Sequence, residues 1–306
     1  ALLGKAPGFP AWAELAQLKR FESRDDPDFR HLLAREPTLD TVPPMERIDL
    51  LFALGKAHDD LGEHERAIAY LGEANRLEGA RKPYTPEADE ARMARIAELF
   101  QRDFIHAFAA VDSSELRPIF VISMPRSGST LTEQMIAAHS SVQGGGELGH
   151  FAQVATDLSL RWGARADFPD LDPQVATADL RSAAQAYRDL TAKLTLLHPR
   201  FTDKSLQNFL YIGLIRMMLP GARIVHVRRH PLATAFGVYR QRFVQAVRYG
   251  YRLEDFVRYY RAYAKLMAHW RATLPEAFIE VFYERLVDHP EAESSPTWGL
   301  NSNLTC

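Results

Sequence analysis

The chain has 306 residues, enough for one large domain with a small one, or for two medium domains. Hydrophobic residues make up 46% and charged residues 25%, an ordinary globular balance, and the formal net charge of −2 gives no global signal for nucleic acid or a strongly anionic partner. The one cysteine, Cys306, rules out a disulfide within this chain and suits a reducing compartment. No apolar run reaches the roughly eighteen residues of a membrane span, and the start, Ala1-Leu2-Leu3-Gly4-Lys5, lacks a basic-then-apolar signal pattern. The expectation is a cytoplasmic protein without a membrane span and without a nucleic-acid partner.

Residues 1–112 are rich in Ala, Leu, Glu and Arg, with turn signals at Asp25-Asp26-Pro27 and Val42-Pro43-Pro44, and are predicted to be helical. Within them, the spacing of Leu51, Leu54-Gly55, His58, Gly62, Ala67, Leu71 and Ala74 over residues 48–81 resembles one tetratricopeptide (TPR) repeat, a pair of antiparallel helices kept close by small residues. A generic helical hairpin is the plainer alternative. Either way these residues read as packing.

The texture changes near Ser113. Ile119-Phe120-Val121-Ile122-Ser123 is a short apolar run of strand length, followed by a helical pattern over Leu131–Ala138. Arg223–Val227 reads as a second strand, after a helix ending at Leu219-Pro220-Gly221, and Phe278–Phe282 reads as a third. Strands alternating with helices predict a parallel sheet covered on both faces, with ligands bound beyond the carboxyl ends of the strands.

After the first strand comes Met124-Pro125-Arg126-Ser127-Gly128-Ser129-Thr130 and then a helix. Loop amides, a helix N-terminus, three hydroxyls and a cation form a cradle for a phosphate-like anion. The loop has one glycine and no lysine before the hydroxyl, so it is not a Walker A loop and lacks the parts that serve a γ-phosphate and its Mg²⁺. An ordinary capped turn is the alternative. The second strand runs into Arg228-Arg229-His230-Pro231, where two arginines could grip a second phosphate or simply form a solvated basic turn.

Together, Met124–Leu131 and Val227–Leu232 resemble the 5′-phosphosulfate loop and the start of the 3′-phosphate motif of sulfotransferases that use 3′-phosphoadenosine 5′-phosphosulfate (PAPS). The likeness is to bacterial proteins with TPR repeats before a sulfotransferase domain, related to the tyrosylprotein sulfotransferases, and it covers roughly residues 45–293. It implies an α/β fold: a P-loop-like three-layer domain with a parallel sheet over 113–293, preceded by an all-α TPR-like region over 1–112. It also implies PAPS as co-substrate and no metal. Arg126, Ser127, Gly128, Ser129 and Thr130 would bind the 5′-phosphosulfate, and Arg229, by register, the 3′-phosphate. Glu147, after the glycine run Gly144-Gly145-Gly146, would be the general base; a helix-start carboxylate is the alternative, and His150 the fallback base. Lys204, beside an Asp203 that could orient it, would stabilise the bridging oxygen as the nucleotide leaves. The family pattern has Ser where this chain has Gly237, and often Asp where it has Ala233.

The segment Tyr239-Arg240-Gln241-Arg242-Phe243 and the run Tyr249–Trp270 could in part wall an acceptor site, although Phe256, Tyr260, Tyr263 and Met267 sit at helical packing spacing. The acceptor could be a peptide, a carbohydrate or a small molecule, and the TPR-like helices could take a protein partner. The likeness fades after Glu291. The family normally continues with a segment that closes over the nucleotide, so the domain is expected to end early, and the polar tail 294–306 to be disordered. Two other classes stay open: an interaction protein with a degenerate nucleotide site, and a kinase or NTPase.

Overall fold

The computed structural model describes residues 12–108, 116–161, 168–169, 177–196, 198, 200–243 and 247–293. The tail 294–306 and the boundary near Ser113 lie outside them. Two compact units emerge: residues 1–86 with 235–260, and residues 87–234 with 261–306. This division differs from the expected 1–112 and 113–293, and the buried polar contacts below give the reason.

In the first unit, α1 (Trp12–Gln17), α2 (Pro27–Arg35), α3 (Pro44–Asp60) and α4 (His64–Arg81) follow in order. Prolines open α2 and α3, and the Asp26 carboxylate caps α2 by accepting from the amides of Asp28 and Phe29. Helix α3 is buried from Ile48 to His58 and forms an antiparallel hairpin with α4. Gly62, at φ +74, supplies the left-handed residue that reverses the chain between them. A side chain at Gly55 would come within 2.6 Å of Leu71 Cγ, so glycine sets the spacing of the hairpin. His58 is fully buried, with Nδ1 2.7 Å from Glu63 Oε2 and its ring stacked on Tyr70, a packing role.

Residues 235–260 join this unit through buried charges. Arg242 donates to Asp49 at 3.1 Å and lies 3.6 Å from Glu78. Asn75 donates to the Tyr239 carbonyl, and Lys82 to that of Phe243. Burial pushes the Asp49 carboxyl up from its ordinary pKa, although Arg242 and the Trp12 and Ala13 amides all donate to it. Arg242, a candidate for the acceptor wall, is thus committed to ion pairs inside the helical unit.

The second unit holds α5 (Pro86–Leu99), α6 (Arg102–His106), β1 (Ile119–Ser123), α7 (Ser129–Ala137), β2 (Val142–Gln143), α8 (His150–Arg161), α9 (Thr177–Thr191), β3 (Arg200–Asp203), α10 (Ile212–Met218), β4 (Arg223–Arg228), β5 (Phe278–Phe282), α13 (Tyr283–Asp288) and α14 (Pro290–Glu293). Two further helices, α11 (Pro231–Tyr239) and α12 (Leu253–Thr273), have residues in both units. The five strands form one parallel sheet in the order β2-β3-β1-β4-β5.

Strand β1 is central and buried throughout, which is why its sequence is a continuous apolar run rather than an alternating one. Ile119 and Val121 pack with Ile136, Val142, Val225, Val227 and Val281 on one face. On the other face Phe120 meets Phe151 and Tyr187 edge-on or stacked. Strand β3 was not expected. It has one large apolar residue, and its extended form comes from pairing between β1 and β2. No described helix is long and apolar enough to cross a membrane.

Candidate active site

Because all five strands run in parallel, their carboxyl ends share one edge of the sheet. Beyond β1, residues 124–128 form the candidate loop, and α7 starts at Ser129. Arg126 (φ +64) and Gly128 (φ +92) are both left-handed, a curl that turns successive amides toward one side. Ser127 and Ser129 are buried, whereas Arg126 and Thr130 are exposed. A Cβ at Gly128 would overlap the Tyr283 ring, so the glycine is needed for space as well as for its φ.

Beyond β4 the two arginines part. Arg228 lies 3.3 Å from Glu280 and over the Phe282 ring. Arg229 turns to the loop: its guanidinium donates to the Arg126 carbonyl at 2.8 Å and lies 4.6 Å from the centre of the Tyr283 ring. Glu284, after β5, accepts from the His230 amide at 2.9 Å. Loop, Arg229 and Tyr283 therefore form one contiguous group. The roles of Tyr283 and Glu284 were not legible in the sequence, since they follow a strand that carries no motif of its own.

Beyond β2 and β3 lies the second pair of candidates. Lys204, with its side chain 8% exposed, directs its ammonium to Glu147 Oε1 at 2.8 Å, while Glu147 itself is 66% exposed. This places a cation and an accessible carboxylate in direct contact. Asp203 does not orient Lys204, contrary to expectation. It accepts from Tyr187 Oη (3.0 Å), Asn208 Nδ2 (3.0 Å) and the Ser205 amide (3.1 Å). Adjacent strand residues point to opposite faces, so Asp203 faces the core, where burial raises its pKa and that of Tyr187. His150 opens α8 and is half-buried.

The glycine run before Glu147 is held by a network the sequence did not reveal. Gly145 donates to Thr202 Oγ1 at 3.0 Å, Thr202 donates to Glu133 Oε1 at 2.7 Å, and Gly146 donates to that same oxygen at 2.8 Å. A Cβ at Gly145 would overlap the Thr202 carbonyl, so the run lies flush against β3. Glu133 reads in sequence as an ordinary helical position.

The chain is 31% identical over 257 residues to an uncharacterized protein of Aquifex aeolicus (strain VF5), covering 82% of this chain and 34% of that protein. It is 27% identical over 180 residues to a Caenorhabditis briggsae protein named "Putative protein-tyrosine sulfotransferase", covering 57% and 61%. This chain thus spans about a third and three fifths of these relatives' lengths. Among solved structures, the sulfotransferase domain from the curacin biosynthetic pathway aligns with a TM-score of 0.38 at 20% identity over 57% of this chain and 70% of that one. A sulfotransferase of Mycobacterium tuberculosis H37Rv aligns at 0.34 and 15% over 95% and 87%. The model of the sulfotransferase family matches residues 118–295, more than half of the chain and the whole sheet with every strand end described above. The chain belongs to the sulfotransferase family.

Proposed function

We propose that this chain transfers a sulfuryl group from PAPS to a hydroxyl or amine acceptor, with Glu147 as the proton acceptor. The observation that carries the reading is the shared strand edge: the anion loop with Arg229 on it beyond β1 and β4, and the Lys204–Glu147 pair beyond β2 and β3.

The residues fit a nucleotide of this kind. The left-handed curl at Arg126 and Gly128, next to the α7 N-terminus, is a cradle that a Cβ would fill. Ser127, Gly128, Ser129, Thr130 and Arg126 would hold the 5′-phosphosulfate, and Arg229 the 3′-phosphate. When bound, the donor supplies the sulfuryl group and a bisphosphate leaving group. Lys204 Nζ offers a cation for developing negative charge. Glu147 takes the proton from the acceptor's O–H or N–H at a carboxylate oxygen. Its exposure leaves it open to an incoming acceptor, and its contact with Lys204 must rearrange as the acceptor arrives. The name of the C. briggsae relative supports a tyrosine-containing peptide as the first acceptor to try.

The test is a calorimetric titration with adenosine 3′,5′-bisphosphate, with ATP plus Mg²⁺ as control. The bisphosphate should bind and ATP should not. Arg229→Ala should weaken the bisphosphate by about 10- to 150-fold, the worth of a hydrogen bond to a charged group. Equal binding of both nucleotides, or an unaltered affinity in Arg229→Ala, would refute the donor assignment.

A further inference from the structure

Glu133 takes no part in the function proposed above, yet it is a buried carboxylate on the helix that begins at the anion loop. We infer that Glu133 is the positioning residue for Glu147, an inference that rests on Glu147 being the proton acceptor. One oxygen of Glu133 receives both the Gly146 amide, immediately before Glu147, and the Thr202 hydroxyl, which itself receives the Gly145 amide. The other side of Gly146 is also committed: its carbonyl accepts from the Lys204 amide at 2.8 Å. Both members of the Glu147–Lys204 pair thus hang from one residue, Gly146, and Glu133 holds the amide of that residue.

A run of three glycines, with Gly146 at φ +68, has no side chains of its own to hold it in one conformation. Without an external tether, Glu147 would sample many positions, and proton transfer depends on holding the carboxylate within hydrogen-bond reach. The tether comes from α7, whose first residues are Ser129 and Thr130. The same short helix therefore carries part of the anion cradle at its start and the anchor of the proton acceptor one turn later, which sets the register between donor and base. A carboxylate oxygen suits the task because it accepts two hydrogen bonds at once, and more strongly than a neutral acceptor.

The test combines hydrogen–deuterium exchange on the full chain with turnover. Wild type, Glu133→Ala, Glu133→Gln and Thr202→Val are compared at residues 144–147 and, as a control, in β1. Exchange at 144–147 should rise about ten-fold or more in Glu133→Ala and Thr202→Val, stay near wild type in Glu133→Gln, and not change in β1. Turnover is read as adenosine 3′,5′-bisphosphate released from PAPS in the presence of a tyrosine-containing peptide. In Glu133→Ala, kcat should fall about 100-fold while the bisphosphate Kd stays within about three-fold. Adding Glu133→Ala to Glu147→Gln should cost nothing more, because the first acts through the second. Unchanged exchange at 144–147, an equal rise in β1, or a full additional loss in the double variant overturns the inference. A Glu147→Gln variant as fast as wild type overturns the functional reading beneath it.

Discussion

Glu147 and Gly128 carry the sharpest expectations at the scale of single residues. Glu147 is exposed and paired with Lys204, so replacing it by Gln keeps the shape and removes the proposed proton acceptor. Steady-state assays should show kcat reduced by about 10²- to 10⁴-fold in Glu147→Gln, with bisphosphate affinity unchanged. Gly128 combines a positive φ with a Tyr283 ring where a side chain would go. Gly128→Ala should therefore lose more than about 1 kcal/mol of stability in denaturant titration, and most of its nucleotide binding. The candidate loop and Arg229 were legible because each follows a strand signal, whereas Glu147 and Lys204 were singled out by the family resemblance. Glu133, Thr202 and Tyr283 were not, since their meaning lies in partners 69 residues apart in one case and in a ring packed on a distant glycine in the other.

Elements were legible where one physical signal dominated. The run 119–123 is apolar because both of its faces are covered, and the α3–α4 hairpin shows helical spacing with a glycine at its turn. Strand β3 escaped because Arg200-Phe201-Thr202-Asp203 has no apolar run, and its extended form is imposed by its neighbours. The segment after α11 escaped because the partners of the half-buried Arg242 are Asp49 and Glu78, charged residues buried inside α3 and α4. Removing the shared cation should expose that dependence. Arg242→Ala leaves Asp49 buried without its counter-ion and should destabilise the protein by about 3 kcal/mol in denaturant titration.

Across the whole sheet, acid stability offers a test of how its edge is held together. Glu280, on the outer strand, is held down to about 2 by His226, whose Nδ1 lies 3.3 Å from its carboxylate, and by the nearby Arg228 and Arg271. A carboxylate with a depressed pKa in the folded state contributes stability above its unfolded value, near 4.5, and loses it as pH falls toward 2. Thermal melts of wild type and Glu280→Gln should differ by about 2 kcal/mol at pH 7. The gap should close between pH 4.5 and 2.

By itself the sequence determined a parallel α/β domain with a glycine-containing loop between its first strand and a helix, an arginine after a later strand, and a helical hairpin near the start. These follow from local rules of apolar run length, glycine conformation and turn chemistry, which act over a few residues. Only the tertiary structure decided that residues 235–260 pack with the helical unit, that Asp203 serves the core while Lys204 meets Glu147, and that Glu133 reaches Gly146. Each of these depends on where a buried charge finds its partner. Burial makes an unpaired charge costly, and the partner that relieves the cost is chosen by the folded geometry rather than by nearness in the chain.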